Sequence, residues 1–169
     1  MDMKLKLNKE YVRRHLFVTL LMAGLGCWFG YDGFVRYPSM AAADLYRMIE
    51  KNDPPAGMNL DAFKRQKTQT QYGFTVISLF AALVVGLRLL KAAKFDFEFD
   101  DSGFTCQGRR FANSDIVDVD RSAWEKKSIL VLRLKGGEKI VLDAWHHVGV
   151  KEFAATHSSR KAKDVAPGS

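Results

Sequence analysis

Two long apolar runs divide the chain, and the second half then changes to strand-like alternation. The stronger run, residues 74–90, contains eleven Leu, Ile, Val or Phe residues and a single charge, Arg88, near its end. At about 1.5 Å per residue it would span roughly 26 Å as a helix, close to the hydrocarbon thickness of a bilayer. A terminal Arg can extend to the interface. The pattern predicts a second transmembrane helix over residues 72–92.

The first apolar run covers residues 16–35, with Asp32 as its only charge, and it follows a basic leader at 1–15. A basic stretch before an apolar run also fits a signal peptide, with a cleavage site near Ala42 as the alternative. Asp32, Arg36 and Pro38 make the segment before those alanines unusually long for a signal peptide. We therefore interpret residues 16–35 as a retained first transmembrane helix.

Small residues recur at four-residue intervals in both apolar runs. This spacing lets two helices approach closely where lipid supplies no hydrophobic driving force. It predicts that the helices pack as a hairpin, and homodimerisation through the same faces is the alternative. The predicted packing residues are Gly26, Gly30, Ser78, Ala82 and Gly86.

Residues 36–71 join the two runs and predict an extracytoplasmic helical connector, with Asn59 as the N-cap of a helix that continues into the second run. Eight Lys or Arg residues flank the terminal side of the hairpin, against six in the connector. Basic residues favour the cytoplasmic side of a membrane. The expected location is the cell inner membrane, crossed twice, with both termini in the cytoplasm.

From residue 95 onward the periodicity changes to two, as Phe95, Phe97 and Phe99 alternate with acidic residues. Alternation of this kind predicts half-buried strands, and Gly136-Gly137 suits a hairpin turn. A closing helix and a disordered tail follow. We predict five strands, at 95–100, 104–111, 114–120, 128–134 and 139–144, a helix over 148–160 and a tail over 161–169.

This order of antiparallel strands, a Gly-Gly hairpin and one amphipathic C-terminal helix, placed after a membrane hairpin, resembles the bacterial pleckstrin-homology-like (PH-like) domains. The resemblance is carried by the turn at 101–104 and its return strand, the step at 114–116, the 130–142 hairpin and the 150–157 helix. It implies a domain over residues 93–160. The family barrel has seven strands, so either the barrel is shorter here or the 104–111 and 118–125 segments each contain a bend.

The hairpin, with the segment WFGYDGFVRYP, also resembles uncharacterised bacterial membrane proteins, which implies no activity. The expected fold class is therefore an α+β membrane protein, a two-helix transmembrane hairpin followed by a small antiparallel PH-like β domain.

The resemblance implies a binding module for lipid headgroups or for proteins. Lipid-binding members carry a basic cluster in the first strand and turn, whereas this chain has FDFEFDDSG there. The family's headgroup pattern is therefore not carried over. The remaining candidate lipid or partner contacts are Arg109, Arg110, Lys126 and Lys127, with a solvated surface as the alternative.

The sequence has no arrangement of residues that supports catalysis. His146-His147 is the most suggestive pair, but adjacent histidines have neither the alternate spacing of strand ligands nor the i, i+4 spacing of helix ligands. Cys27 and Cys106 lie far apart without accompanying ligand groups. We expect no enzyme activity, no metal and no cofactor.

The net charge of +7 is concentrated around the apolar runs, whereas residues 95–160 carry ten basic and eleven acidic residues. Basic flanks of membrane segments account for this excess, so we expect no nucleic-acid partner. The expected partners are membrane lipids and a membrane protein or a second copy of the chain. The predicted function is that of a scaffold or accessory subunit acting through protein contacts, with anionic-lipid binding as the alternative.

Overall fold

The computed structural model describes residues 3–156, and the chain divides into two compact units. One unit, called the β unit below, comprises the chain up to Arg13 and the chain from Leu90 onward. The other is Arg14–Leu89, called the helical unit. The predicted tail at 161–169 and the last residues of the predicted closing helix, from His157, lie outside the described residues.

Helix α1 comprises Lys9–Tyr31 and continues through a π-helical turn, Asp32–Arg36, into a short helix α2, Tyr37–Ser39. The side chain of Asn8 caps its start, because Asn8 Oδ1 accepts a hydrogen bond from the backbone N–H of Glu10 at 3.0 Å. The helical path ends at Met40, whose ψ of 148° is extended.

Helix α3, Ala42–Glu50, and helix α4, Leu60–Ala93, complete the helical elements of this part of the chain. Asn59 Oδ1 accepts a hydrogen bond from the N–H of Ala62 at 2.9 Å, which confirms the predicted N-cap of α4. Because α4 is continuous over 34 residues, the polar end of the connector and the second apolar run form one helix.

Two helical stretches, Lys9–Ser39 and Leu60–Ala93, are long and apolar enough to cross a membrane. Only 17% of the most apolar window of each is buried within the structure. A core helix of a globular domain would bury most of such a window. The apolar side chains of both helices are instead directed outward, as Trp28, Val76 and Phe80 show with about two thirds of their surface exposed.

The β unit contains antiparallel strands in three sheets, and in residues 3–156 they differ from the five predicted. A four-stranded sheet has the order β1 (Met3–Lys4), β3 (Phe97–Phe99), β4 (Gly103–Cys106) and β5 (Arg109–Ala112). A three-stranded sheet has the order β6 (Ile116–Asp120), β7 (Ile129–Leu134) and β8 (Lys139–Asp143). Strand β2 (Lys6–Leu7) pairs with β9 (His147–Val148).

Two short α-helices, α5 (Trp124–Lys127) and α6 (residues 150–156), and a 3-10 turn at Asn113–Asp115 complete the described part of the β unit. One apolar core joins these elements. Phe97, Phe104, Leu130 and Phe153 are fully buried in it. The Phe153 ring meets that of Phe97 edge to face at 5.4 Å between centroids, so the closing helix packs on the four-stranded sheet.

The structure differs from the sequence prediction at several points. The predicted closing helix begins at residue 150 and not at 148, because His147 and Val148 form strand β9. The predicted return strand 104–111 is two strands, because Gln107 and Gly108 turn the chain with φ values of 49° and 78°. The predicted leader contributes β1 and β2 to the β unit, and Leu5 between them is buried in the core. The alternating Lys and Leu residues of the leader suit a strand, but β1 and β2 have only two residues each, which is too short for the pattern to predict them.

We predict that Gly103→Ala destabilises the β unit. A Cβ at Gly103 would lie 2.1 Å from the backbone oxygen of Phe111 on the paired strand, so β4 and β5 would have to separate. The expected loss of stability is about 1–3 kcal/mol, typical of overpacking. Thermal unfolding of the full chain in detergent measures it. Gly136→Ala is the matched control, since no atom lies within 4 Å of its Cβ position. Equal melting temperatures for both variants would contradict this packing.

Candidate partner and lipid contact surfaces

The four predicted contact residues lie on two elements of the β unit. Arg109 and Arg110 are on β5, where they are opposite Cys106 and Thr105 of β4. Consecutive residues of a strand point to opposite faces, so the two arginines do not share a surface. Lys126 and Lys127 occupy the last turn of α5.

Arg110 forms hydrogen bonds with the turn that precedes β4. Its Nη2 lies 2.6 and 2.7 Å from the two carboxylate oxygens of Asp100 and 2.6 Å from Ser102 Oγ. The backbone N–H groups of Ser102 and Gly103 also donate to Asp100 Oδ1. The Ser102 hydroxyl and the Arg110 guanidinium hold the pKa of Asp100 well below its usual range. Arg110 therefore neutralises an acidic turn of its own domain.

Arg109 is also paired with an acid. Its Nη1 lies 3.1 Å from Glu138 in the β7–β8 turn, and its guanidinium stacks over the Phe111 ring at 5.0 Å from the centroid. The contact joins the edge of the four-stranded sheet to the turn of the three-stranded sheet. The pair is exposed and contributes little stability, about 0–1 kcal/mol.

Lys126 and Lys127 differ from the arginines, since both are exposed and neither has an ion-pair partner within residues 3–156. Their helix is held by Trp124, which packs against the core, and it ends at Ser128 in the left-handed region with φ of 55°. This local fold leaves two adjacent cationic groups on one short turn. Of the four predicted residues, these two are available for an external anion.

Lys4 is a charged contact that the sequence prediction missed. Strand pairing places it opposite Glu98, and its Nζ lies 2.5 Å from Glu98 Oε1 and 2.9 Å from Asp96 Oδ1. Hydrogen bonds to these two carboxylates raise the pKa of Lys4. The alternation of Lys and Leu at 4–7 matches the alternation of acid and Phe at 96–99 and is the signal that could have revealed the pairing.

On the three-stranded sheet, Arg133 bridges the acids of the neighbouring strand. Its Nη2 lies 3.0 Å from Asp120 Oδ2, and its Nε lies 3.6 Å from Asp118 Oδ2. Hydrogen bonds from the backbone and side chain of Ser122, together with Arg133, lower the pKa of Asp120 to about 2. This acidic strand face therefore also pairs with a cation from its own domain.

The predicted helix-packing residues face the partner helix inside the helical unit. A Cβ at Gly26 would lie 2.6 Å from Leu79, while one at Gly30 or Gly86 would lie 3.6 Å from a threonine of the other helix. Ser78 and Ala82 are both buried. The contacts run from Thr19 with Gly86 to Gly30 with Thr75, so α1 and α4 are antiparallel.

The His146-His147 pair lies in the turn before and at the start of β9. His147 is buried, and its Nε2 lies 3.1 Å from the carbonyl oxygen of Ala92 at the end of α4. His146 Nδ1 lies 3.6 Å from Asp143, and its ring packs on Tyr11 at 4.4 Å between centroids. Within residues 3–156 no group of three or more potential metal ligands converges. The two histidines therefore contact the ends of α1 and α4 that belong to the β unit.

We predict that the stability of the β unit decreases as the pH falls below about 6.5. Burial lowers the pKa of His147, so the unfolded chain takes up a proton more readily than the folded chain. His147→Gln keeps an amide donor for the Ala92 carbonyl and removes the titration, and it should flatten this dependence. Thermal unfolding between pH 8 and 5 measures both proteins. An identical pH dependence in the variant would contradict the assignment.

No protein-family model, no curated protein and no solved structure matches this chain. The structure therefore provides the basis for a functional conclusion. It offers two outward-facing apolar helices and, among the four predicted contact residues, one pair of available lysines, since the two arginines are paired with acids of the β unit.

Proposed function

We propose that this chain is a two-pass integral protein of a bacterial inner membrane that acts without catalysis, as a scaffold or accessory subunit. It would present a PH-like binding domain at the cytoplasmic surface and function through contacts with another membrane protein. The observation that carries the proposal is the outward direction of apolar side chains along α1 and α4. Exposed apolar surface of this extent needs lipid or protein to cover it.

The role of the N-terminal segment supports retention of the first helix. Removal of a signal peptide would take away β1, β2 and the core residue Leu5. It would also remove Tyr11, which has only 1% of its surface exposed. A segment that fills the core of the mature domain is a poor signal peptide, so a retained membrane helix is the better interpretation.

The strand arrangement supports the PH-like interpretation. The larger antiparallel sheets, of four and three strands, precede the closing helix, and this order of sheets and helix supports the resemblance, although β1 of the four-stranded sheet comes from outside the predicted 93–160 domain. The turn at Gln107-Gly108 supplies one of the bends that the resemblance requires. PH-like domains are binding modules, and this argues for binding as the activity of the β unit.

Charge pairing favours a protein partner over lipid headgroups. Arg109 and Arg110 each bond an acid of the β unit, and Lys4 covers the acidic strand that replaces the family's basic cluster. Anionic headgroups would have to compete with these carboxylates. The glycine faces of the helices are already occupied within the chain, so a second copy would have to bind elsewhere.

A pull-down from membranes solubilised in mild detergent tests the protein-partner proposal. We expect one membrane protein to co-purify with the full chain in a fixed ratio. Lys126→Glu with Lys127→Glu should weaken its retention, whereas Lys135→Glu, an exposed lysine in the β7–β8 turn, should not. Recovery of the chain as a lone monomer would contradict the proposal.

The alternative is an anionic-lipid contact, which is favoured because Lys126 and Lys127 have no acidic partner within residues 3–156. Each basic residue near anionic lipid contributes about 1 kcal/mol. In nanodiscs, amide exchange at Trp124–Lys127 should then slow when zwitterionic lipid is replaced by anionic lipid. Lys126→Glu with Lys127→Glu should remove the difference. Equal exchange in both lipids would exclude this alternative.

We predict that alkaline phosphatase fused after Ser169 is inactive in cells, because the greater number of basic residues on the terminal side of the helices favours a cytoplasmic location for both termini. A fusion within the connector after Met58, which is exposed, should be active and serves as the control. The opposite pattern of activities would reverse the proposed orientation.

A further inference from the structure

The stretch Trp145–Val148 exposes large apolar side chains at one end of the β unit. Trp145 has 44% of its surface exposed, and Val148 has 57%. Between them, the His147 ring is buried against Phe95 at 5.0 Å between centroids. The backbone is therefore anchored from within while the two apolar side chains face outward.

Hydrogen bonds fasten this stretch to the ends of both long helices. At the first turn of α1, the Asn8 backbone N–H donates to the His146 oxygen at 2.8 Å, and Asn8 Nδ2 donates to the Trp145 oxygen at 3.1 Å. At the last turn of α4, the Ala92 oxygen lies 3.1 Å from His147 Nε2. These hydrogen bonds hold the stretch that carries Trp145 and Val148 beside the ends of the two helices.

The position of the end of α4 indicates the depth at which this stretch would lie in a bilayer. Leu90, 57% exposed, is the last large apolar residue of the helix, and Ala92 lies about 3 Å further along the axis. If α4 spans a bilayer, Leu90 lies in hydrocarbon and Ala92 at the headgroup layer. Trp is enriched at that layer because its ring is apolar and its N–H is polar.

Cations surround the same end of the β unit. Lys6 is the register partner of Val148, and Lys91 and Lys94 flank Ala92. All three side chains are exposed. An apolar pair beside exposed lysines is the composition that suits an anionic membrane surface, to which each lysine contributes about 1 kcal/mol.

We infer that Trp145 and Val148, with Lys6, Lys91 and Lys94, form an interfacial contact with anionic phospholipid. This contact rests on the proposed membrane insertion, but it uses other residues than the four basic ones considered above. It makes the β unit a bilayer-bound module with a fixed orientation, so that its remaining surfaces are presented to partners.

Single-tryptophan variants of the full chain, reconstituted in anionic vesicles, test the contact. Trp28→Phe with Trp124→Phe leaves Trp145 as the reporter, and Trp124→Phe with Trp145→Phe leaves Trp28. The control removes all three and adds Val141→Trp, at a β8 position that is 53% exposed. Lipids brominated near the headgroup quench tryptophans that reach the interface.

We expect bromolipid to remove most of the fluorescence of the Trp145 and Trp28 reporters and to leave that of the Val141→Trp reporter. Quenching of Trp28 without Trp145 would overturn the interfacial contact and keep the spanning helices. Quenching of Trp145 without Trp28 would support the contact and overturn the spanning helices. Equal quenching at Trp145 and at position 141 would overturn the contact, as would no quenching of any reporter.

Discussion

The β unit depends on pairing between its two distant chain segments. Strand β1 pairs with β3 at Lys4 and Glu98, and Leu5 completes the core. Contacts between residues so far apart in sequence require the ends of the intervening chain to meet, which costs entropy. The antiparallel packing of α1 on α4 brings the two ends of the helical unit to the same side and lowers that cost. Close helix packing at Gly26 therefore also favours closure of the β unit.

Charge pairing also joins different elements of the β unit, because acids of its strands and turns are paired with cations from neighbouring strands. Asp100 is bound by Arg110, and Asp120 by Arg133, so the strand faces carry little unbalanced charge. Exposed pairs add little stability individually, but they remove candidate contacts from the surface. This is why the number of basic residues in the sequence overstates the charge available to a lipid or a partner.

The sequence predicted the long elements and missed the short ones, for physical reasons. Period-two alternation identified the strands of the 114–144 region, and apolar length identified the two long helices. The two-residue strands β1 and β2 are too short to produce a periodic signal, so their pairing depends on tertiary context. A bend within 104–111 was one of two alternatives, but its position at Gln107-Gly108 was not predicted, because Gln is an uncommon residue in the left-handed conformation, where Asn or Asp is typical. The ion pairing of Arg109 and Arg110 could not be predicted from the sequence, because it depends on where acids distant in the chain lie in the fold.

The end of α1 shows how the single charge in the first apolar segment is accommodated. Asp32 is only 6% exposed, and its carboxylate accepts a hydrogen bond from Trp28 Nε1 at 3.2 Å and lies 3.5 Å from Arg36 Nη1. Burial of a carboxylate is costly unless donors surround it. The π-helical turn begins at this residue, and it places Gly33 against the ring of Tyr72 on α4. A side chain at Gly33 would collide with that ring, because its Cβ would lie 2.9 Å away. The π-helical turn therefore brings Gly33 against Tyr72 directly beside the buried acid, and an apolar residue at position 32 would lose the hydrogen bond from Trp28 and the ion pair with Arg36.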